Sequence, residues 1–366
     1  MKNCSFIILL LFIAKGFSQN DTKVSESMEL DFFYGKLIEH DKKLNNAIQD
    51  DPYGFLISWN YVKNQPSKFN KLYNYPERGY SFLYENFNSD ILGEVFGGYR
   101  HYTYNLMPNK NNQLKLTTGF GIGYATKKFN EVTNNQNHAI GSHLLASAYL
   151  KLNYFQFFKD HKLSLNTALS LIHFSNVGFK NPNLGINTVA LHLCVKYDLT
   201  NDDEGINEES EILDVINSKI DYNLMLRSGF NESLVIDSGL YPFYTVSFYG
   251  SKKMNHYSTV TGGVDFFSSR FLKEHIKYVN ENEGGNYDEN NYNRGGVFIG
   301  HELTQNNFSL VSQIGYTFYS EYSYGSNIYE RFGFKYKLGD HLFSQVTMKV
   351  NLFRAEALEF GIGYKF

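Results

Sequence analysis

His173, Ser175 and Asn187 fall within 15 positions of one another, and their types are those of a base, a nucleophile and a group that orients the base. A serine hydroxyl attacks a carbonyl poorly unless a neighbouring base removes its proton, and the base needs a third group to fix its ring and tautomer. The expected roles are Ser175 as nucleophile, His173 as base and Asn187 as orienter through its side-chain carbonyl. Backbone N–H groups in the turn from Asn176 to Gly178 are candidates to hold the oxyanion, with Gly178 permitting a close approach of the chain. The chemistry such a set performs is ester hydrolysis. On three residues alone, the competing reading is that His, Ser and Asn merely end a strand at a membrane rim, since short motifs match by chance.

The strands that must position these residues are legible. Leu163, Leu165, Thr167, Leu169, Leu171, His173 and Ser175 alternate with Ser164, Asn166, Ala168, Ser170, Ile172, Phe174 and Asn176. After a short connection, Asn187 opens a second apolar row of Val189, Leu191, Leu193, Val195 and Tyr197. Alternate residues of a strand share a face and adjacent strands lie about 4.8 Å apart. The three polar groups therefore end two neighbouring rows that are otherwise apolar.

Those rows read as the outer wall of a membrane barrel. Residues 1–18 have the form of a secretory signal: Lys2, an apolar run from Phe6 to Ala14, and Gly16-Phe17-Ser18 as a cleavage site. Beyond it no apolar run approaches the roughly 18 residues of a membrane helix. Cys4 leaves with the signal, so Cys194 stands alone and no internal disulfide is expected. Aromatic residues form 17% of the chain, prolines number only 6, and the mean hydropathy is −0.37, a combination that suits alternating barrel walls better than a soluble core. A net charge of −3 sets nucleic-acid binding aside. In the last strand Leu358, Phe360, Ile362, Tyr364 and Phe366 alternate with Ala357, Glu359, Gly361, Gly363 and Lys365. The expected fold is an all-β, antiparallel, transmembrane outer-membrane β-barrel of about 12 to 16 strands, with fifteen strand candidates between 52 and 366 and an ambiguous one at 28–36. Residues 19–366 are expected to form one barrel domain.

Other motifs carry less. The acidic stretch 201–214 and the Asn-, Gly- and acid-rich stretch 281–293 do not fit a calcium loop and read as solvated connections. Gly119, Gly121 and Gly123 lie on one face of a strand with no helix following, so they are small lumen-facing residues and no dinucleotide fingerprint. Asn231-Glu232-Ser233 matches a glycosylation acceptor, which has little meaning in a bacterial outer-membrane protein. His101, His138, His143 and His192 show no metal-ligand spacing, so no metal and no cofactor is expected.

The longer segment from His173 to Ile186, with Ser175, Asn176, Gly178, Lys180, Pro182, Asn183 and Gly185, resembles the active-site segment of the outer-membrane lipid A deacylases known as PagL, or acyloxyacyl hydrolases. The resemblance implies a barrel esterase that removes an acyl chain from lipid A or another outer-leaflet lipid, with the Ser and His of the HxSN motif as nucleophile and base. It covers about fifteen residues, and the chain is much longer than the eight-stranded members of that family. Lys180 is then placed to meet a lipid phosphate, with Lys127 and Lys128 as weaker candidates. Asn187 departs from the pattern, since the deacylases carry a Glu there; in this it is similar to outer membrane phospholipase A, whose triad is Ser, His and Asn. A phospholipase A, with calcium dependence by analogy, is thus one alternative. A non-catalytic porin, transporter or adhesin is the other.

Overall fold

The computed structural model describes residues 24–63, 70, 73, 75–107, 112–157, 162–200, 219–233, 235–236, 238–351 and 354–366. The signal-like residues 1–18 and the acidic stretch 201–214 lie outside them. Sixteen antiparallel strands follow: β1 (Val24–Leu37), β2 (Tyr53–Lys63), β3 (Glu77–Asn86), β4 (Glu94–Met107), β5 (Asn112–Ala125), β6 (Leu144–Phe157), β7 (Leu163–Ser175), β8 (Ile186–Asp198), β9 (Ile220–Glu232), β10 (Leu240–Lys253), β11 (Ser258–Ser269), β12 (Asn293–Gln305), β13 (Phe308–Ser320), β14 (Ile328–Lys337), β15 (Leu342–Asn351) and β16 (Arg354–Lys365). The ambiguous 28–36 segment is β1, and every other strand expected from the alternation is present.

The single barrel is not. β1 pairs with β8 and β9 pairs with β16, so the strands close as two eight-stranded barrels joined through the connection that contains the acidic stretch. Side-chain size explains the closure. Eight strands enclose a lumen just wide enough for side chains to fill, whereas sixteen leave a channel that water must occupy. The inward residues here are bulky or paired: Tyr99 and Tyr149 pack edge to face in the first lumen, and Phe267 and Tyr329 do so in the second. In the first barrel Lys151 binds Glu29 and Asp31; in the second Arg331 binds Asp265 and Glu359 while Arg227 binds Ser247 and Gln345. A filled lumen strips water from these charges, and close pairing with opposite charge and hydrogen-bonding groups offsets that cost.

Outward residues form an apolar belt on both barrels, including Leu169, Leu191 and Leu193 on the first and Leu224, Phe248 and Ile299 on the second. Among the described residues no helix is long and apolar enough to cross a membrane; the apolar belt lies on the strands, whose backbone groups are paired around each closed sheet.

The barrels stand side by side with the same rims aligned. The upper rim is the end at which β7 finishes. There the β7–β8 connection meets Glu232 and Ser233 at the top of β9. Along the walls the rings of Phe120 and Phe334 approach to 5.9 Å, and at the lower rim Tyr73 and Tyr257 approach to 6.3 Å. Upper-rim loops cap the first lumen with Leu44, Ala47, Phe87, Leu92, Ala139 and Ile140, which pack on Phe174 and Ile186 of the site strands. The 41–51 insert holds a short 3-10 turn, Lys42–Leu44, capped by Asp41. The second lumen is capped by helix α1 (Arg270–Asn282), which the alternation did not anticipate; Phe271, Leu272 and Ile276 bury one face of it, with Tyr241 and Tyr324 packed alongside. Its apolar spacing of 271, 272, 276 and 279 is the helical signal in the sequence.

Candidate active site

The strand register sets His173 directly opposite Asn187. At that pairing the His173 Nδ1 and Asn187 Oδ1 atoms are 2.7 Å apart. An amide oxygen only accepts, so Nδ1 carries the proton and Nε2 is left as the proton acceptor. Between His173 and Ser175, Phe174 points into the barrel, fully buried, with its ring 6.2 Å from that of Phe87 in an edge contact. This inward anchor fixes the strand end, so both neighbouring side chains are held on the outer face.

Ser175 is not bonded to His173. Its hydroxyl lies 3.3 Å from Asn183 Oδ1, receives the Asn183 side-chain N–H at 3.0 Å and receives Val177 N–H at 3.2 Å. The loop from 176 to 185 folds back over the two side chains and leaves Ser175 only 4% exposed. Gly185 is what lets it do so. A side chain there would meet His173 Cε1 at 3.2 Å and Ser175 Cβ at 3.8 Å, and the residue is left-handed at φ +76°. Leu184 N–H and Gly185 N–H donate to the carbonyls of His138 and Ala139, and the His40 ring bonds the Leu184 carbonyl, so two other upper-rim connections hold this loop.

The backbone donors expected to form the oxyanion site are both occupied. Asn176 N–H donates to Asn183 Oδ1 at 2.9 Å, and Gly178 N–H to Asn176 Oδ1 at 3.2 Å. Gly178 does permit a close approach, but to the second barrel: at φ +81°, its missing Cβ would lie 2.5 Å from the Glu356 carbonyl oxygen. Lys180 likewise turns to the second barrel, with Nζ 3.5 Å from Glu232 Oε1, and keeps 40% of its side chain exposed. Lys127 lies beside Asp90 on a different rim loop. Asn183 is the residue that sequence reasoning left without a role. Its position eight residues after the serine gives no periodic signal, because the loop that brings it back is irregular.

Three further Ser–His pairs show why hydrogen-bond geometry alone does not define a site: Ser258 Oγ and His301 Nε2 lie 2.6 Å apart at an exposed place near the lower rim of the second barrel, and two pairs lie inside the first. Ser170 bonds His192 Nε2 at 2.7 Å, with His192 Nδ1 3.6 Å from Asp31; Ser81 bonds His101 Nδ1 at 2.9 Å, with His101 Nε2 2.7 Å from Asn60. Both are sealed inside the first lumen, where no substrate reaches them, and they satisfy polar groups that the filled interior would otherwise strand. The same lumen brings Asp31, His192 and Cys194 within 4.8 Å, a juxtaposition their spacing does not reveal; Lys151 already supplies a cation to Asp31. Of these sets, that of residues 173–187 lies at the upper end of an outward, apolar wall.

Residues 53–196 match the family model described as lipid A 3-O-deacylase (PagL), and residues 220–366 match the one described as acyloxyacyl hydrolase, C-terminal domain. The barrel fold and the two family models together define a class: outer-membrane enzymes that act on lipid. The chain belongs to the PagL family, and the two matched regions fall on the two barrels. Among solved structures, the outer membrane enzyme PagL is similar over 45% of this chain and 97% of its own, at 14% identity and a TM-score of 0.31. A triple mutant of the Rhodopseudomonas blastica porin aligns over 94% of this chain and 100% of its own, at 7% identity and a TM-score of 0.17. A mutant TodX monoaromatic hydrocarbon channel aligns over 95% and 91%, at 8% and 0.19. No curated protein matches the chain.

Proposed function

We propose that this outer-membrane ester hydrolase removes an ester-linked acyl chain from lipid A, with Ser175 as nucleophile, His173 as base and Asn187 as its orienter. The observation that carries the reading is the 2.7 Å bond between His173 Nδ1 and Asn187 Oδ1, made across directly opposed positions at the head of a lipid-facing wall. The acyl chain would lie along outward residues such as Leu169 and Leu171, with the ester carbonyl reaching Ser175 at the rim. As substrate enters, the hydroxyl leaves Asn183 for His173 Nε2; catalytic hydrogen bonds commonly tighten only in the substrate complex. Ser175 Oγ then attacks the carbonyl carbon while its proton passes to Nε2. Collapse of the tetrahedral intermediate breaks the ester bond, and the lipid hydroxyl leaves with that proton. Water attacks the acyl-serine, gives its proton to His173, and the fatty acid departs as Ser175 recovers the proton.

The oxyanion needs donors beside Oγ. Val177 N–H and the Asn183 side-chain N–H already reach that oxygen, while Asn176 N–H and Gly178 N–H join them when their side-chain acceptors shift. Lys180, half-exposed beside Glu232, offers its open side to a lipid phosphate.

One observation favours a second reading. The orienter is an amide, which fixes the histidine but does not offset its positive charge, and that suits a phospholipase A with a Ser-His-Asn triad. Mass spectrometry of lipid A and phospholipids, from cells carrying the parental protein or Ser175→Ala, separates the two. The proposal expects lipid A one acyl chain lighter with the parental protein only. Unchanged lipid A alongside new lysophospholipid selects the phospholipase, and no change in either lipid rejects both.

A further inference from the structure

Asn231-Glu232-Ser233, which reads in sequence only as a glycosylation acceptor, ends β9 of the second barrel and meets the catalytic loop of the first. Four contacts converge on residues 178–181. Glu232 Oε2 accepts Asn181 N–H at 2.5 Å, and Glu232 Oε1 faces Lys180 Nζ at 3.5 Å. The Ser233 carbonyl accepts the Asn181 side-chain N–H at 2.5 Å, and Glu232 N–H reaches the Gly178 carbonyl at 3.4 Å. The Glu232 side chain is only 1% exposed. A buried carboxylate is stable only where donors and a cation are aimed at it, and here both come from the loop. Beside them, Gly178 lies against the Glu356 carbonyl at the start of β16.

The opposite edge of the same loop holds the nucleophile. Asn176 donates its side-chain N–H to the Lys180 carbonyl at 2.5 Å, and Asn183 bonds Ser175 Oγ. Residues 176–183 are thus fastened at one edge to the reacting serine and at the other to a different barrel. We propose that the second barrel is a clamp for the catalytic loop of the first, and that Glu232 is the positioning residue through which it acts. The proposal rests on Ser175 being the nucleophile. It gives the C-terminal barrel a task on its rim.

The test uses the full chain in outer membranes, with two readouts. Trypsin cleavage at Lys180–Asn181, identified by fragment mass, reports loop release without reference to lipid. Turnover on lipid A reports positioning. Glu232→Ala should speed that cleavage by about 10-fold or more and lower kcat by about 10- to 100-fold, with KM changed less than about threefold, because displacements near 1 Å cost about that much in rate. Glu232→Gln still accepts the Asn181 N–H and should stay within about fivefold of parental kcat. A parental cleavage rate in Glu232→Ala overturns the clamp, whatever its activity. A released loop with parental kcat overturns the positioning role. If Glu232→Ala does not assemble, Asn181→Ala removes the Ser233 contact from the loop side, and the same two results decide. If the parental protein leaves lipid A intact, the rate of Ser175 labelling by a fluorophosphonate replaces kcat, so failure of the substrate reading is separable from failure of the clamp.

Discussion

At the scale of single residues, the site is defined by what each side chain is free to do. In the proposed mechanism Ser175 and His173 act as a unit, so Ser175→Ala and His173→Ala should each lower deacylation by about 10⁴-fold or more, and the double variant should be little worse than either. Parental turnover by an assembled Ser175→Ala barrel would end the mechanism. Asn187→Ala removes an orienter and should cost less than either change. Asn187→Glu should preserve or raise the rate, because the carboxylate stabilises the imidazolium that forms during attack; a drop of the size seen for Asn187→Ala would show that the amide is required as such. Asn183→Ala removes a donor from Ser175 Oγ and should reduce kcat by about 10²- to 10³-fold if that donor serves the oxyanion. A purely structural Asn183 would instead lower the assembled fraction and leave kcat per assembled molecule unchanged.

At the scale of elements, β7 and β8 show how a strand divides its work between two faces. Leu191 is 69% exposed on the outer wall. Leu191→Lys should destabilise the barrel by about 2–4 kcal/mol if it lies near the membrane midplane, read from the urea midpoint in lipid vesicles; tolerance equal to Val132→Lys on an exposed rim loop would contradict the membrane wall. The alternation by itself suggests that a charge on the other face, at Ala190, is better tolerated. The packing says otherwise: Ala190 is 1% exposed, and its Cβ lies against Gly35. Eight-strand closure makes the inner face as intolerant as the outer one, for a steric reason in place of a solvation one.

At the scale of the whole molecule, each lumen is crossed by packed side chains and ion pairs, with a cavity of about 430 Å³ at the lower mouth of the second. Neither should conduct ions on the scale of a porin in a planar bilayer, and stepwise open-channel currents from purified protein would restore the porin alternative. Inside the second barrel, Arg331 joins Asp265 and Glu359 at 3.0 and 2.6 Å. Arg331→Ala leaves two buried carboxylates with the hydroxyls of Ser247, Tyr329 and Thr347 and the more distant guanidinium of Arg227, 4.0 Å from each. The loss should be about 3–5 kcal/mol of stability, seen as a fall in the urea midpoint or the heat-modifiability temperature. A midpoint within experimental error of the parent would mean that water already enters the lumen.

The sequence alone determined the class of fold and pointed to the residues proposed for the site, because both readings are local. Side-chain period 2 assigns Leu163 to Ser175 and Asn187 to Tyr197 to faces without any knowledge of closure, and a nucleophile, a base and an orienter on two consecutive strands are within one register of meeting. Closure was decided by contacts far apart in the chain. Whether Val24–Leu37 pairs with Ile186–Asp198 or the strands continue into one larger ring depends on whether Tyr99, Tyr149 and the Lys151 ion pairs fill the interior, and alternation is the same in either case. The irregular loop escaped for a related reason. Asn183 reaches Ser175 and Glu232 reaches Asn181 through an aperiodic turn and a second barrel, and no spacing rule connects residues that only the packing of two closed sheets brings together.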